Sequence, residues 1–343
     1  MAAGSEDLLM KAYEAIVDIF ERHTNEILEL EVLPSAITLP EGTVILQDGL
    51  CIGIPKRTLV LAFIRARKLF FECRSNESSV REALFATKVM LLFDPEHITA
   101  ANYRKKHLQE LQNKQSSLTN GEFSHAIQQE FLFLDSILTS PLHRQTKSPT
   151  LWSHRRWLIS TFFPFVYNPR GSSTVGVHSV EDAEFQSIFK AGERHPNNYY
   201  AWRYARDLVS ITDPEDESSR KVNRGIEIRD LTDAVVNWCL RHPSDISGWS
   251  FLMFLLHKPE NDRSNCQRVL TRVMEFTLKL RLEHESLWVF IRTVLATDSC
   301  LPTTMRTEVV QSIQQCVSDE GSVSAFTDKM CAVLSYMERQ NST

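Results

Sequence analysis

The sequence predicts an all-α protein, a right-handed crescent-shaped solenoid of helical hairpins (an α–α superhelix). Three observations lead there. Apolar residues recur at helical spacing, as in QQEFLFLDSIL, where Phe131, Leu134 and Leu138 fall in register around Asp135, and in DAVVNWCL, with Val235, Trp238 and Cys239. Eleven glycines and thirteen prolines in 343 residues are too few for a sandwich of many short strands. Most informatively, five segments superimpose on one anchor position, and a unit of that size cannot bury its apolar face alone.

Taken in order, the acidic stretch from Asp7 to Leu30 reads as one amphipathic helix. Val32 to Ile54 breaks the pattern with two prolines, three glycines and β-branched residues, which points to an extended or hairpin segment. The helical period returns from Pro55 to Cys73. From Glu77 the repeats begin: DPEHITAANYRKKHL, QTKSPTLWSHRRWLI, HPNNYYAWRYARDLV, HPSDISGWSFLMFLL and RLEHESLWVFIRTVL. Their anchors are Ala101, Trp152, Trp202, Trp249 and Trp288. Proline stands six before the anchor in three copies (Pro95, Pro196, Pro243), and an aromatic ring two after it in all five (Tyr103, His154, Tyr204, Phe251, Phe290). Seven after it stands Leu108, Ile159, Val209, Leu256 or Leu295.

That pattern is a helix pair. The first helix stops before the proline, a polar turn supplies caps, and the second helix carries the anchor. Anchor and aliphatic residue, seven apart, differ by only about 20° around the axis and form one buried stripe. The anchor tryptophans are therefore core residues before anything else. The anchor spacings of 51, 50, 47 and 39 residues make the period loose, with insertions at Asn113–Ser124, Asn168–Val177 and Thr212–Asn223 taking up the difference as rim loops. The organisation is an N-terminal region, 1–76, five hairpins over 77–300, and capping helices over 301–343, together one elongated domain.

Composition narrows the function. A formal charge of −5 offers phosphate backbones no general attraction, which disfavours a nucleic-acid reader. Seven cysteines without a C-x-x-C pair suggest neither a disulfide framework nor a zinc knuckle, and fit a reducing compartment in which most act as small core residues. The acidic MAAGSEDLL start is unlike a signal peptide. The apolar run Leu59–Phe71 is broken by Arg65, Arg67 and Lys68, and RQNST is no lipidation box. A cytoplasmic protein is expected. H-E-x-x-H, P-loop, G-x-G-x-x-G and G-x-S-x-G motifs are absent, so no catalytic set belongs to the chain by itself.

A second helix carrying Trp and then Arg, after a P-x-N-Y-type turn, resembles the protein prenyltransferase α-subunit repeat. LWSHRRWL (Leu151–Leu158) and HPNNYYAWRYARDLV (His195–Val209) are the best copies, and the resemblance covers about Glu77 to Ala296. Within that family the sequence most resembles the divergent branch placed in a third type of protein geranylgeranyltransferase. The resemblance implies a crescent wrapped on a separate β subunit that holds the catalytic zinc and the isoprenoid pocket. It implies a chain inactive alone, with no cofactor of its own and geranylgeranyl diphosphate as co-substrate. The prenyl group goes to protein cysteines, including those of a SNARE already carrying one farnesyl group. The implied β partner is the one shared with the Rab enzyme. A non-enzymatic helical scaffold for protein–protein interaction is the rival reading.

Residue by residue, the family's tyrosine three before the third anchor is Tyr199, whereas its diphosphate-reaching lysine is here Asn197. Lys147, at the same offset in the second copy, is the nearest cation in register. Lys147, Asn197, Asn198 and Tyr199 are accordingly expected near the isoprenoid diphosphate, with a plain capping turn as the alternative for the last three. Arg155, Arg156, Arg203 and Arg206 on the same two hairpins are expected at the partner interface, arginine and tyrosine being prominent in interface energetics. Arg104 and Arg155, three after their anchors, are also expected to pair with a carboxylate or cap carbonyls of the next hairpin. Ala205, Leu252 and Ile291 take that place in the other copies.

Overall fold

A computed structural model of the chain describes residues 2–34, 36–114, 120–166, 180–211, 227–259, 261–320 and 324–341. Helices α1 (Ala2–Arg22) and α2 (Lys56–Cys73) flank a small sheet of β1 (Glu29–Leu33), β2 (Leu46–Asp48) and β3 (Cys51–Pro55). The sheet order is β1-β3-β2, with β1 parallel and β2 antiparallel to β3. The extended segment is thus real and begins earlier than expected. Glu29 and Leu30, assigned from sequence to the first helix, pair instead with Cys51 and Ile52. Pairing explains this: the buried Leu30 and Leu33 are three apart, a spacing that also fits a helix, and only the register with β3 marks the segment as a strand.

The five hairpins follow as α3 (Val80–Phe93) with α4 (Ile98–Asn113), then α5 (Asn120–Leu138), a one-turn α6 (His143–Thr146) and α7 (Pro149–Val166), and then α8 (Val180–Arg194) with α9 (Tyr199–Ile211). The fourth pair is α10 (Ile228–Arg241) with α11 (Ile246–Leu256), the fifth α12 (Arg263–Leu280) with α13 (Glu285–Ala296), and α14 (Thr303–Glu320) and α15 (Ala325–Asn341) close the chain. The expected rim insertions at 168–177 and 212–223 lie outside the described residues. The same holds for 115–119 within Asn113–Ser124, whose end is the first turn of α5. The chain packs as two compact units, Met1–Tyr204 and Ala205–Thr343.

All five anchors are buried, as are the aliphatic residues seven later. Each anchor helix starts at the residue four before the anchor. There His97, Ser148, Asn198 and Asp245 accept a hydrogen bond from the backbone N–H three residues on, as N-caps do. The indole N–H of Trp152, Trp249 and Trp288 then donates to the carbonyl six residues back (Thr146, Pro243, Leu282) at 2.7–2.9 Å. The anchor thus fills the core and satisfies a carbonyl at the end of the preceding turn.

Within each unit, one hairpin's anchor meets the next one's aromatic residue: Trp152 lies 5.5 Å from Tyr204, and Trp249 lies 4.9 Å from Phe290. Trp288 packs on Phe326 of α15 at 5.8 Å, so the last helix caps the stripe. Trp238 on α10 is fully buried. It is accommodated by Gly248, where an added Cβ would lie 2.7 Å from its ring. In the N-terminal unit the sheet is tied to the hairpins by the Leu28 N–H, which donates to Ser136 Oγ at 2.9 Å, and by Arg194, which reaches Glu29 at 2.6 Å. Of the seven cysteines, only Cys239, Cys266 and Cys300 are buried, fewer than composition suggested.

Candidate functional site at the hairpin turns

The residues singled out from the second and third hairpins converge at their turns. Lys147 Nζ donates to the Pro196 carbonyl at 2.9 Å, so the ammonium caps the neighbouring turn and keeps two of its three N–H donors for other partners. Asn198 is wholly buried. Its Nδ2 donates to the Thr146 carbonyl at 2.9 Å, and its Oδ1 accepts the Ala201 N–H at 3.3 Å. For Asn198 the capping alternative is what the geometry delivers. Asn197 is exposed and left-handed (φ 59°), a conformation that asparagine tolerates better than most residues. Tyr199 is 57% exposed and Tyr200 38%, and their rings meet edge to face at 5.5 Å. The His143 and His195 rings cross at 5.2 Å. Burial and then His143 push the His195 pKa below the ordinary histidine value.

Burial divides the four arginines. Arg156 and Arg203 are exposed. Arg206 is half-buried, donating to Ser250 Oγ at 2.9 Å and standing over the Phe251 and Phe254 rings at 5.8 and 5.7 Å. Arg155, expected at a partner surface, is 1% exposed. It is held by Asp135 at 2.8 Å and by both Glu184 oxygens at 2.6 and 2.8 Å. Tyr204 donates to the same Glu184 at 2.5 Å, and Ser187 to Asp135 at 2.6 Å. Burial disfavours the guanidinium's charge, but Asp135 and Glu184 more than reverse this and hold its pKa well above the arginine value. Arg155 is therefore an internal strut, because two carboxylates from α5 and α8 flank it and leave no solvent face. The other sequence expectation for this position, a carboxylate partner on the next hairpin, is met by Glu184.

Arg104 repeats the device one hairpin earlier, with Glu130 of α5 gripped through Nε at 2.8 Å and through NH2, and its NH1 on Leu84 O and Thr87 Oγ1 at 3.0 Å each. His154, wholly buried, brings Nε2 within 3.3 Å of Glu130. Burial outweighs that carboxylate and pushes the His154 pKa down to about 4.

Sequence reasoning missed one column. The residue three before the anchor opens the second helix and is exposed in the four copies where it is apolar or aromatic: Ile98 at 62%, Pro149, Tyr199 at 57% and Ile246 at 57%. The fifth copy has Glu285. Aligning the segments shows this column, but only coordinates tell that the side chains face outward. Among the described residues no group of three or more His, Cys, Asp or Glu could hold a metal ion. Among them too, no helix is long and apolar enough to cross a membrane.

Comparison with known proteins agrees with this architecture. Residues 151–277 match the family described as the ECM9 middle domain. The human protein prenyltransferase alpha subunit repeat-containing protein 1 is 24% identical over 270 residues, covering 75% of this chain and 61% of that protein. Protein ECM9 of Saccharomyces cerevisiae is 24% identical over 272 residues, covering 79% and 65% respectively. The geranylgeranyl transferase type-2 subunit alpha of Candida albicans is 29% identical over 141 residues, covering 40% and 33%. The chain thus spans less than two thirds of the length of each of these relatives. Its resemblance to prenyltransferase α-subunit repeat proteins extends over most of its own length.

Proposed function

We propose that this chain is the non-catalytic α subunit of a heterodimeric protein geranylgeranyltransferase and meets its β subunit along the turn edge of its hairpins. The observation that carries the proposal is the exposed column Ile98, Pro149 and Tyr199, which presents apolar groups at the same place in three successive hairpins. Each side chain stands on a helix start whose cap and anchor are fixed internally. Exposed apolar groups set on rigid elements are what a docking surface requires. The names of the human and Candida relatives support the family side of the reading.

In this account the β subunit supplies the zinc and the isoprenoid pocket, and the chain contributes a wall. Lys147, with two free donors, and the exposed Asn197 and Tyr199 stand nearest the diphosphate of geranylgeranyl diphosphate. Preorganised donors at a leaving group stabilise the charge that develops there. Asn198 acts beneath them by fixing the turn. Arg156 and Arg203 form the polar rim of the contact, and Arg206 follows Arg203 along α9. Arg155 has no part in it. The implied substrates are cytosolic proteins with a C-terminal cysteine, including farnesylated ones, and the implied partner is the β subunit shared with the Rab enzyme. The test is co-expression with candidate β subunits, followed by size exclusion and a geranylgeranyl transfer assay. A complex that transfers the lipid supports the proposal, and failure with every β subunit refutes it.

The scaffold reading keeps one specific support. Lys147 and Asn198 are both engaged in holding turns together, which a binding module needs as much as an enzyme subunit does. A stable complex with a β subunit that transfers no prenyl group would favour it.

A further inference from the structure

Away from the turn edge, the N-terminal unit holds a cavity of about 280 Å³ between α1, α3, α4 and α5. Its wall carries more cation than the structure neutralises. Arg81 is paired with Glu21 at 2.8 Å, and Arg104 with Glu130. Lys88 remains. Its ammonium makes no hydrogen bond or ion pair among the described residues, and sits instead near the rings of Phe20, Phe85 and Phe133 at 5.2, 5.3 and 5.5 Å. Ring faces attract a cation but supply no acceptor for its three N–H groups. Thr24 and Gln129, also on the wall, make no side-chain hydrogen bond among the described residues, and Phe85 and Leu108 give the cavity an apolar side.

We propose that this cavity is a binding site for a small organic anion, its phosphate or carboxylate head on Lys88 and its apolar body against Phe85 and Leu108. The residual charge of the wall asks for one anionic group, and the unused donors of Lys88, Thr24 and Gln129 ask for acceptors. A cavity of this size takes a molecule larger than an inorganic ion, at the small end of ligand pockets. Burial, reinforced by Arg104, pushes the Lys88 pKa down to about 8, against the pull of Glu130 and Glu21. The wall therefore carries an unmatched charge that a bound anion would match. The site is independent of the prenyltransferase reading.

Titration calorimetry of the 343-residue chain with phenyl phosphate and with benzoate tests this, with inorganic phosphate as the head-group control. One organic probe should bind one site per chain, more tightly than inorganic phosphate. Lys88→Met should weaken it about tenfold or more, the scale of a lost charge-assisted hydrogen bond, while Lys88→Arg retains it. Preference for phenyl phosphate assigns the site to phosphoesters, and preference for benzoate to carboxylic acids. In the unmutated chain, reductive methylation mapped by mass spectrometry should show Lys88 reacting faster than surface lysines and slowing when the probe is present. Equal affinity in the Lys88→Met chain, or a Lys88 labelling rate unaffected by both organic probes, overturns the proposal.

Discussion

Replacing Arg155 with methionine keeps most of the side chain's volume and removes its charge from between Asp135 and Glu184. Both carboxylates are nearly inaccessible, at 7% and 4% exposure, and among the described residues they retain only Ser187 and Tyr204 as hydrogen-bond donors. Breaking a buried ion pair from one side costs about 3–5 kcal/mol, because the remaining charge is left without its partner. For a unit of 204 residues, at roughly 2–4 °C per kcal/mol, the melting temperature should fall by about 10 °C. Adding Asp135→Asn and Glu184→Gln to the same chain removes the stranded charges and should recover more than half the loss. The assay is thermal melting followed by circular dichroism on the three chains. If Arg155→Met melts with the parent, or if the neutralised triple variant is no better than the single one, the network does not hold α5, α7 and α8 together as described.

Three further outcomes follow from the repeat. Trp152→Ala and Trp202→Ala should each cost about 3–5 kcal/mol, and Trp238→Ala the same, since all three are buried; denaturant titration gives the values. Gly248→Ala, which on an open helix would gain about 1 kcal/mol, should instead destabilise, because its Cβ would meet the Trp238 ring at 2.7 Å. His154 is neutral in the folded chain down to about pH 4 but takes up a proton at about pH 6.5 once unfolded, so it erodes stability as the pH falls between those values. His154→Phe, the residue type the fourth and fifth hairpins use there, should flatten that decline by about 3 kcal/mol, read from melts across the range.

The hairpins were legible because each repeat position answers one strong physical demand. A tryptophan spaced seven from an aliphatic residue, behind a proline turn, has few other ways to be buried. The small sheet was half legible: glycines and prolines marked the break, but Glu29 and Leu30 belong to a strand through pairing with Cys51 and Ile52, residues remote in sequence. The site residues were the least legible. Arg155 and Arg156 are neighbours in sequence, yet one is enclosed and the other exposed, and helical phase decides which. The repeat position of Arg155 calls for a carboxylate, but Glu184 lies 29 positions away on the next hairpin. Asn197 and Asn198 differ the same way, one on the surface and one pinned to Thr146. The Lys88 cavity leaves no motif, since its walls come from four helices.

The docking claim is tested most directly by hydrogen–deuterium exchange of the chain with and without a co-purifying β subunit. Complex formation should slow exchange at the turns around residues 97–100, 147–151 and 197–201, and Tyr199→Asp combined with Ile98→Asp should abolish both that protection and the complex while the chain alone stays folded. Protection confined to other faces, with the double variant still fully assembled, would contradict the account.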